Sequence, residues 1–273
     1  MAEVRWLGVD GDLANTANYS TAGLPSAGDD FVIASGSVDI NTNLTALSAI
    51  AIKSWTVTTG FKGNIGNSGQ SIVILANHAT TTAINVSMSG QYIYASITFA
   101  VTGSVGFLTI GSTGAGSFYL TGGTFANEVF AGGLSGRCYI LSGVTMGDVY
   151  TAGASVDVTP AFTNAFIMGG NNILRGDVTT LNLGANAGCT LEGSGVDVTT
   201  ANLYGGSRLV LNNGGATTGV ITTANAFPGS YIANGGKFNN TITTLNSWVG
   251  STQVLNAAAA RTTATTTNYV GQK

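Results

Sequence analysis

Three aspartates open nearly the same tripeptide at 20-residue intervals: Asp157-Val-Thr159, Asp177-Val-Thr-Thr180 and Asp197-Val-Thr-Thr200. Stacked one above another, they would present hard oxygen ligands suited to Ca²⁺. They would equally supply two carboxyls about 5 to 10 Å apart, the separation a glycosidase needs across its scissile bond. Glu128 and Asp148, also 20 apart, would give the same spacing. A plainer chemistry competes, because a short carboxylate at a turn accepts hydrogen bonds from local backbone N–H groups. Each Asp of the first set opens the same turn, and the glycine–aspartate nonapeptide of calcium-binding repeats is absent. The preferred reading is a structural ladder of turns.

The other reactive groups are few. His78 is the only histidine, and with no second histidine or thiol near it in sequence it does not make a zinc site. Ser68 and Ser71 sit in a turn and a strand start, not in a nucleophile elbow. Cys138 and Cys189 are too far apart for a disulfide if they lie on coils about 4.8 Å apart, and both read as small core residues. No catalytic, cofactor-binding or metal-ligating residue is assigned.

What must position these groups is a repeat. Phe118–Gly133 lies over Cys138–Gly153 with matching residue classes at an offset of 20: Tyr119 on Tyr139, Leu120 on Ile140, Gly123 on Gly143, Val129 on Val149, Phe130 on Tyr150. Looser echoes follow at Ile221-Thr-Thr223 and Ile242-Thr-Thr244. A fixed period marks a solenoid. Helical repeats need roughly 33 to 47 residues, so a unit near 20 holds only short strands and turns. Short apolar runs such as Phe107–Ile110 and Arg208–Leu211 read as strands, bounded by Gly- and Asn-rich turns. The fold class is therefore all-β, a single-stranded parallel β-helix (β-solenoid). From Val38 to Trp248 it would hold on the order of ten coils, a rod roughly 50 Å tall at this strand spacing.

Only 8% of the residues are charged, against a usual value of about 25%. The net charge is −3 with 9 Lys and Arg scattered singly, so nucleic acid is not an expected partner. No apolar run is long enough to span a membrane as a helix, and Met1–Trp6 does not read as a signal peptide.

Residues 1–35 differ from the rest. They hold 5 of the 12 carboxylates, together with Trp6, Tyr19 and Pro25. An open solenoid end is a template for runaway pairing, so a cap is expected here. Trp6-Leu-Gly8, Gly11-Asp12, Ala17-Asn-Tyr-Ser20, Leu24-Pro25 and Gly28-Asp-Asp-Phe-Val-Ile33 resemble an opening found before β-helical repeats. That opening occurs in large bacterial surface proteins and in bacteriophage virion proteins. Tyr19 stands where Trp is usual, and Ser26-Ala27 where a Gly is common. A short, leaderless, almost uncharged chain resembles the virion branch more. The β-helix is expected over 36–250 and an extended C-terminal tail over 251–273, in which Tyr269 and Val270 are candidate subunit contacts.

The resemblance implies a structural virion protein, a capsid decoration, cement or spike protein, made in the host cytoplasm and carried on the virion. Its partners would be itself, as a homotrimer, and the major capsid protein of a phage shell, reached through Trp6, Tyr19 and Pro25. No cofactor, membrane or enzymatic step is expected. The alternatives are a tail spike that binds or cleaves host polysaccharide, and a fragment of a bacterial surface adhesin.

Overall fold

In the computed structural model, described for residues 2–76, 83–99, 107–112, 116–134, 137–212, 219–234, 240–254 and 265–269, the chain is all-β. Its parallel strands stack as a β-solenoid of about 8 turns, some 21 residues apart. Two compact units make up the chain, Met1–Gly147 and Asp148–Lys273.

In the first unit the strands are β1 (Glu3–Arg5), β2 (Asp30–Ile33), β3 (Ala51–Ile52), β4 (Ser54–Val57), β5 (Ile72–Ala76), β6 (Ala83–Met88), β7 (Tyr92–Phe99), β8 (Phe107–Ser112), β9 (Ser117–Leu134) and β10 (Arg137–Ile140). They form two parallel sheets. One joins β1, β2, β4, β6, β8 and the later part of β9. The other joins β3, β5, β7, the start of β9 and β10. Side chains alternate in and out along each strand, as in β5, where Ile72, Ile74 and Ala76 are buried and Val73 and Leu75 half-buried. In-register stacking then builds the core as a column: Val4, Phe31, Trp55, Ile84 and Leu108 are successive partners, each almost fully buried. These partners lie 27, 24, 29 and 24 positions apart, so the early coils are longer than the period of the clear repeat. Fewer than ten coils fit for that reason.

The sequence repeat holds where it is clearest. Phe118 pairs with Cys138, Tyr119 with Tyr139 and Leu120 with Ile140. Tyr94, Tyr119 and Tyr139 stack face to face, with centroids 4.3 and 4.6 Å apart. The repeated Gly123 has φ +125°, and a Cβ there would collide with the Ile97 carbonyl oxygen of the preceding coil. Only glycine allows that coil-to-coil approach.

The second unit takes up the Asp148–Ala152 part of β11 (Val144–Ala152) and then β12 (Ser155–Val158), β13 (Phe162–Met168), β14 (Asn171–Leu174), β15 (Val178–Leu183), β16 (Gly188–Glu192), β17 (Val198–Leu203), β18 (Arg208–Asn212), β19 (Gly219–Ala226), β20 (Tyr231–Asn234), β21 (Asn240–Trp248), β22 (Thr252–Val254) and β23 (Thr265–Tyr269). Odd-numbered strands pair in one parallel sheet and even-numbered strands in the other. Ala165, Leu181, Ala201, Ala224 and Leu245 form one fully buried inner column.

Coil length varies here too, and this corrects the aspartate ladder. Asp148 lies beside Asn164 and Phe162 beside Val178, so two successive coils advance by only 16 positions each. Asp157 consequently falls in β12, beside Ile173 in the other sheet, and is not stacked with Asp177. The Thr-Thr echoes, in contrast, do stack: Thr180, Thr200, Thr223 and Thr244 are successive partners. Near the C-terminus, Thr265–Tyr269 pairs in parallel with β21 of the same chain, with Tyr269 opposite Trp248. Val270 lies outside the described residues.

Candidate functional site

Asp148, Asp157, Asp177 and Asp197 all make structural contacts. Asp177 Oδ1 accepts from the Asp197 N–H at 2.9 Å, and Asp197 Oδ1 accepts from the Val220 N–H at 2.8 Å. Both bonds join one coil to the next instead of closing a local turn. Asp157 is 6% exposed and receives Arg175 Nε and Nη2 at 2.8 and 3.1 Å. The same guanidinium reaches Glu192 at 3.2 Å through Nη1. Hydrogen bonding to Asp157 above all raises the Arg175 pKa further. One guanidinium bonded to two carboxylates offsets one of their two charges and holds both in place, so Asp157 and Glu192 clamp Arg175.

Glu128 lies in β9 opposite Phe107, but its side chain, like the whole of His78, is outside the described residues. Among the described residues no group of three or more His, Cys, Asp or Glu could hold a metal ion. None of their helices is long and apolar enough to cross a membrane. Cys138 and Cys189 are buried free thiols. Burial pushes the Cys138 thiol up to about 12 and raises Cys189 as well.

Trp6, Tyr19 and Pro25, the candidate shell-binding residues, are all buried within the chain. Trp6 meets Tyr19 edge-to-face at 5.5 Å, and Tyr19 lies 5.8 Å from Phe31. The Tyr19 hydroxyl donates to the Leu13 carbonyl, closing the loop over the end of the core. Asn18 Nδ2 donates to the Asp10 carboxylate and the Asp12 carbonyl at 2.6 and 2.8 Å, and that first bond is the main cause of a lowered Asp10 pKa. The segment is thus a packed end, with β1 as its first rung on β2. Its exposed apolar groups are Leu7 and Val9, at 56% and 64%.

Among the described residues, a regularly repeating outward surface lies on the odd-numbered sheet of the second unit. Four strands carry one pattern: Thr180-x-Asn182-x-Gly184, Thr200-x-Asn202-x-Tyr204, Thr223-x-Asn225-x-Phe227 and Thr244-x-Asn246-x-Trp248. Because alternate residues share a face, this makes three parallel columns. The asparagines form a continuous amide ladder, in which Nδ2 of Asn202, Asn225 and Asn246 donates to Oδ1 of the preceding member at 2.9, 2.8 and 2.8 Å. The third column is aromatic: Tyr204 and Phe227 stack at 5.0 Å, and Phe227 and Trp248 at 4.4 Å. Where that column reaches Gly184 it is interrupted, leaving a cleft of about 360 Å³ lined by Phe166, Met168, Asn182, Gly184, Ala185 and Tyr204.

Of these columns, only the threonines are named from the sequence, at a near-constant offset. The asparagines step by 20, 23 and 21 positions, the same steps as the threonines two residues before them, so the spacing was equally present for both columns. The Thr-x-Asn-x-aromatic frame was the available signal. No family model, curated protein or solved structure matches the chain.

Proposed function

We propose that the chain is a structural protein of a phage particle, a decoration, cement or spike protein held on the shell as a homo-oligomer. The observation that carries this reading is the outer face of the second unit, where uncharged Thr, Asn and aromatic side chains recur coil after coil. Such a face spreads contact along a sheet and does not converge on one reacting point. Repetition suits multivalent attachment, in which each contact is weak and the assembly stays bound. Closed cyclic symmetry is the usual form of a homo-oligomer, and the resemblance of residues 6–33 to virion β-helices favours three copies.

In this reading the N-terminal cap is the anchor. Trp6, Tyr19 and Pro25 hold its shape from within, and Leu7 and Val9 carry the contact. The glycan-spike alternative calls for a groove with two carboxylates beside rings, whereas the cleft at Tyr204 is lined by rings, a thioether and an amide.

Mass analysis of purified virions, beside the oligomer mass of the isolated protein, tests the proposal. A copy number comparable to that of the major shell protein, with a stable trimer, is expected. A copy number far below it would move the chain to the tail and favour the polysaccharide reading. Absence from any particle would sink both phage readings and leave the adhesin.

A further inference from the structure

The aromatic column of the second unit is missing one member. Gly184 directly follows Leu183, which pairs with Ile167 on one side and Leu203 on the other. The backbone bonds from Gly184 N to Ile167 O (2.8 Å) and from Tyr204 N to Leu183 O (2.9 Å) carry that register one residue further. Gly184 therefore sits in the rung between Met168 and Tyr204, at the position that Tyr204, Phe227 and Trp248 fill with rings. With strands about 4.8 Å apart, two rungs leave roughly 10 Å between the Met168 and Tyr204 positions. That is the space of one ring at the 4.4–5.0 Å spacing this column uses, and the Met168 thioether now occupies part of it, since a Cβ at the buried Gly184 would collide with the Met168 sulfur.

The gap has definite chemistry. Tyr204 is 45% exposed; Phe227 covers one of its faces, and its other face looks into the cleft. Met168, 61% exposed, leans over Gly184, and its thioether is the flexible end of a side chain that can swing aside. Phe166 closes the side wall. Asn182 heads the amide ladder: its Oδ1 accepts from Asn202, while its own Nδ2 meets no acceptor among the described residues. The lining carries no charge.

We propose that this gap is a binding site for one neutral planar aromatic ring, which completes the column by stacking on Tyr204 beneath Met168, while Asn182 Nδ2 donates to a carbonyl or hydroxyl oxygen attached to that ring. The stack itself argues for a flat ring over a puckered sugar. Rings packed face to face along the coils turn their edges to solvent, and only the last member offers a face. The ring is either a free aromatic molecule or a Phe, Tyr or Trp side chain offered by a partner polypeptide. The site does not depend on where the protein is located.

The test uses the full chain with ¹³C-methyl methionine, in which Met168 is one of 4 methyl signals, assigned with Met168→Leu. Benzamide and N-acetylphenylalanine amide are titrated in, with N-acetylcyclohexylalanine amide as the puckered control. Both aromatic probes should move the Met168 methyl upfield, saturably and in the millimolar range, and the control should not. The tighter of the two tells a free ring from a peptide side chain. Gly184→Phe, which supplies its own ring, should abolish the shift. Should that variant fail to fold by thermal unfolding, Tyr204→Ala removes the stacking face and should weaken binding about fivefold to tenfold. A Met168 signal unmoved by either aromatic probe, an equal response to the puckered ring, or a response unchanged in Tyr204→Ala would overturn the site.

Discussion

Removing the Asp157 carboxylate leaves the Arg175 guanidinium facing a nearly closed site with only Glu192 to answer it. Arg175 keeps about a third of its side chain in water, so the loss is smaller than for a fully buried pair. Asp157→Ala should lower stability by about 1–3 kcal/mol in urea unfolding, and Glu192→Ala by less than about 1 kcal/mol. Equal effects would mean that Arg175 is not clamped chiefly by Asp157. The tripeptide itself does not separate Asp157 from Asp177, because both open Asp-Val-Thr, although Pro160 follows the first and Thr180 the second. Their different fates follow from the two shortened coils between β11 and β15. The buried thiols act at the other end of the pH scale. Cys138 is raised to about 12 in the folded chain by burial, from an ordinary value near 9. Between these values the unfolded chain has lost a proton that the folded chain keeps. The thiol's stabilising contribution is therefore complete below about pH 9 and is lost as pH rises toward 12, at up to about 1.4 kcal/mol per pH unit. Cys189 acts in the same direction. Urea midpoints measured from pH 8 upward should fall, and Cys138→Ala should flatten that fall; an unchanged slope would show that other groups carry it.

At the scale of the strand, the asparagine ladder makes neighbouring coils depend on one another. Asn225 donates to Asn202 and accepts from Asn246, whereas Asn182 only accepts, from Asn202. With about 1 kcal/mol net per hydrogen bond, Asn225→Ala should cost about 1–2 kcal/mol and Asn182→Ala about half as much. Thermal unfolding of both variants checks the ratio, and a larger loss at Asn182 would refute the ladder's polarity. The elements themselves were legible unevenly. Between Tyr119 and Tyr139 the coil matches the sequence period and the side chains are large, so the repeat could be read directly. From Phe31 through Trp55 and Ile84 to Leu108 the coils are longer and unequal, because turns absorb extra length without disturbing that inner column. A solenoid fixes what stacks inside, and its turns are free to vary, so constant spacing finds the fold, while the amide column, which keeps the spacing of the Thr-Thr echoes, shows itself as a ladder only through its hydrogen bonds. The burial of the N-terminal aromatic residues was not legible for a related reason. Aromatic residues in an irregular segment read as a contact surface, yet Trp6 and Tyr19 are the core of the cap. Leu7→Ser with Val9→Ser should accordingly reduce shell binding without moving the unfolding midpoint, while Trp6→Ala should lower stability by about 3–5 kcal/mol. If the double substitution leaves binding to shells intact, the cap is not the anchor.

At the scale of the whole molecule, the scarcity of charge sets the terms of any assembly. The chain has 9 cationic and 12 acidic side chains in 273 residues. The Asp157–Arg175–Glu192 clamp and the Lys53–Asp30 contact at 3.4 Å engage some of them within the chain. An interface built from Thr, Asn, Leu and aromatic groups draws on apolar burial and neutral hydrogen bonds, which ionic strength barely screens. Attachment through scattered charges would behave differently, since raising salt from about 0.1 M to about 1 M shortens the screening length from about 10 Å to about 3 Å. The proposed oligomer, and its attachment to shells, should therefore survive that rise with less than about a threefold change in affinity, a shift below about 1 kcal/mol. Sedimentation velocity on the isolated protein, and co-sedimentation with shells stripped of it, measure the two associations separately. A large loss of the oligomer alone would place charged groups at the subunit contact. A large loss of shell binding alone would move the anchor from Leu7 and Val9 to the carboxylates of the same cap, at Asp10, Asp12 and Asp29.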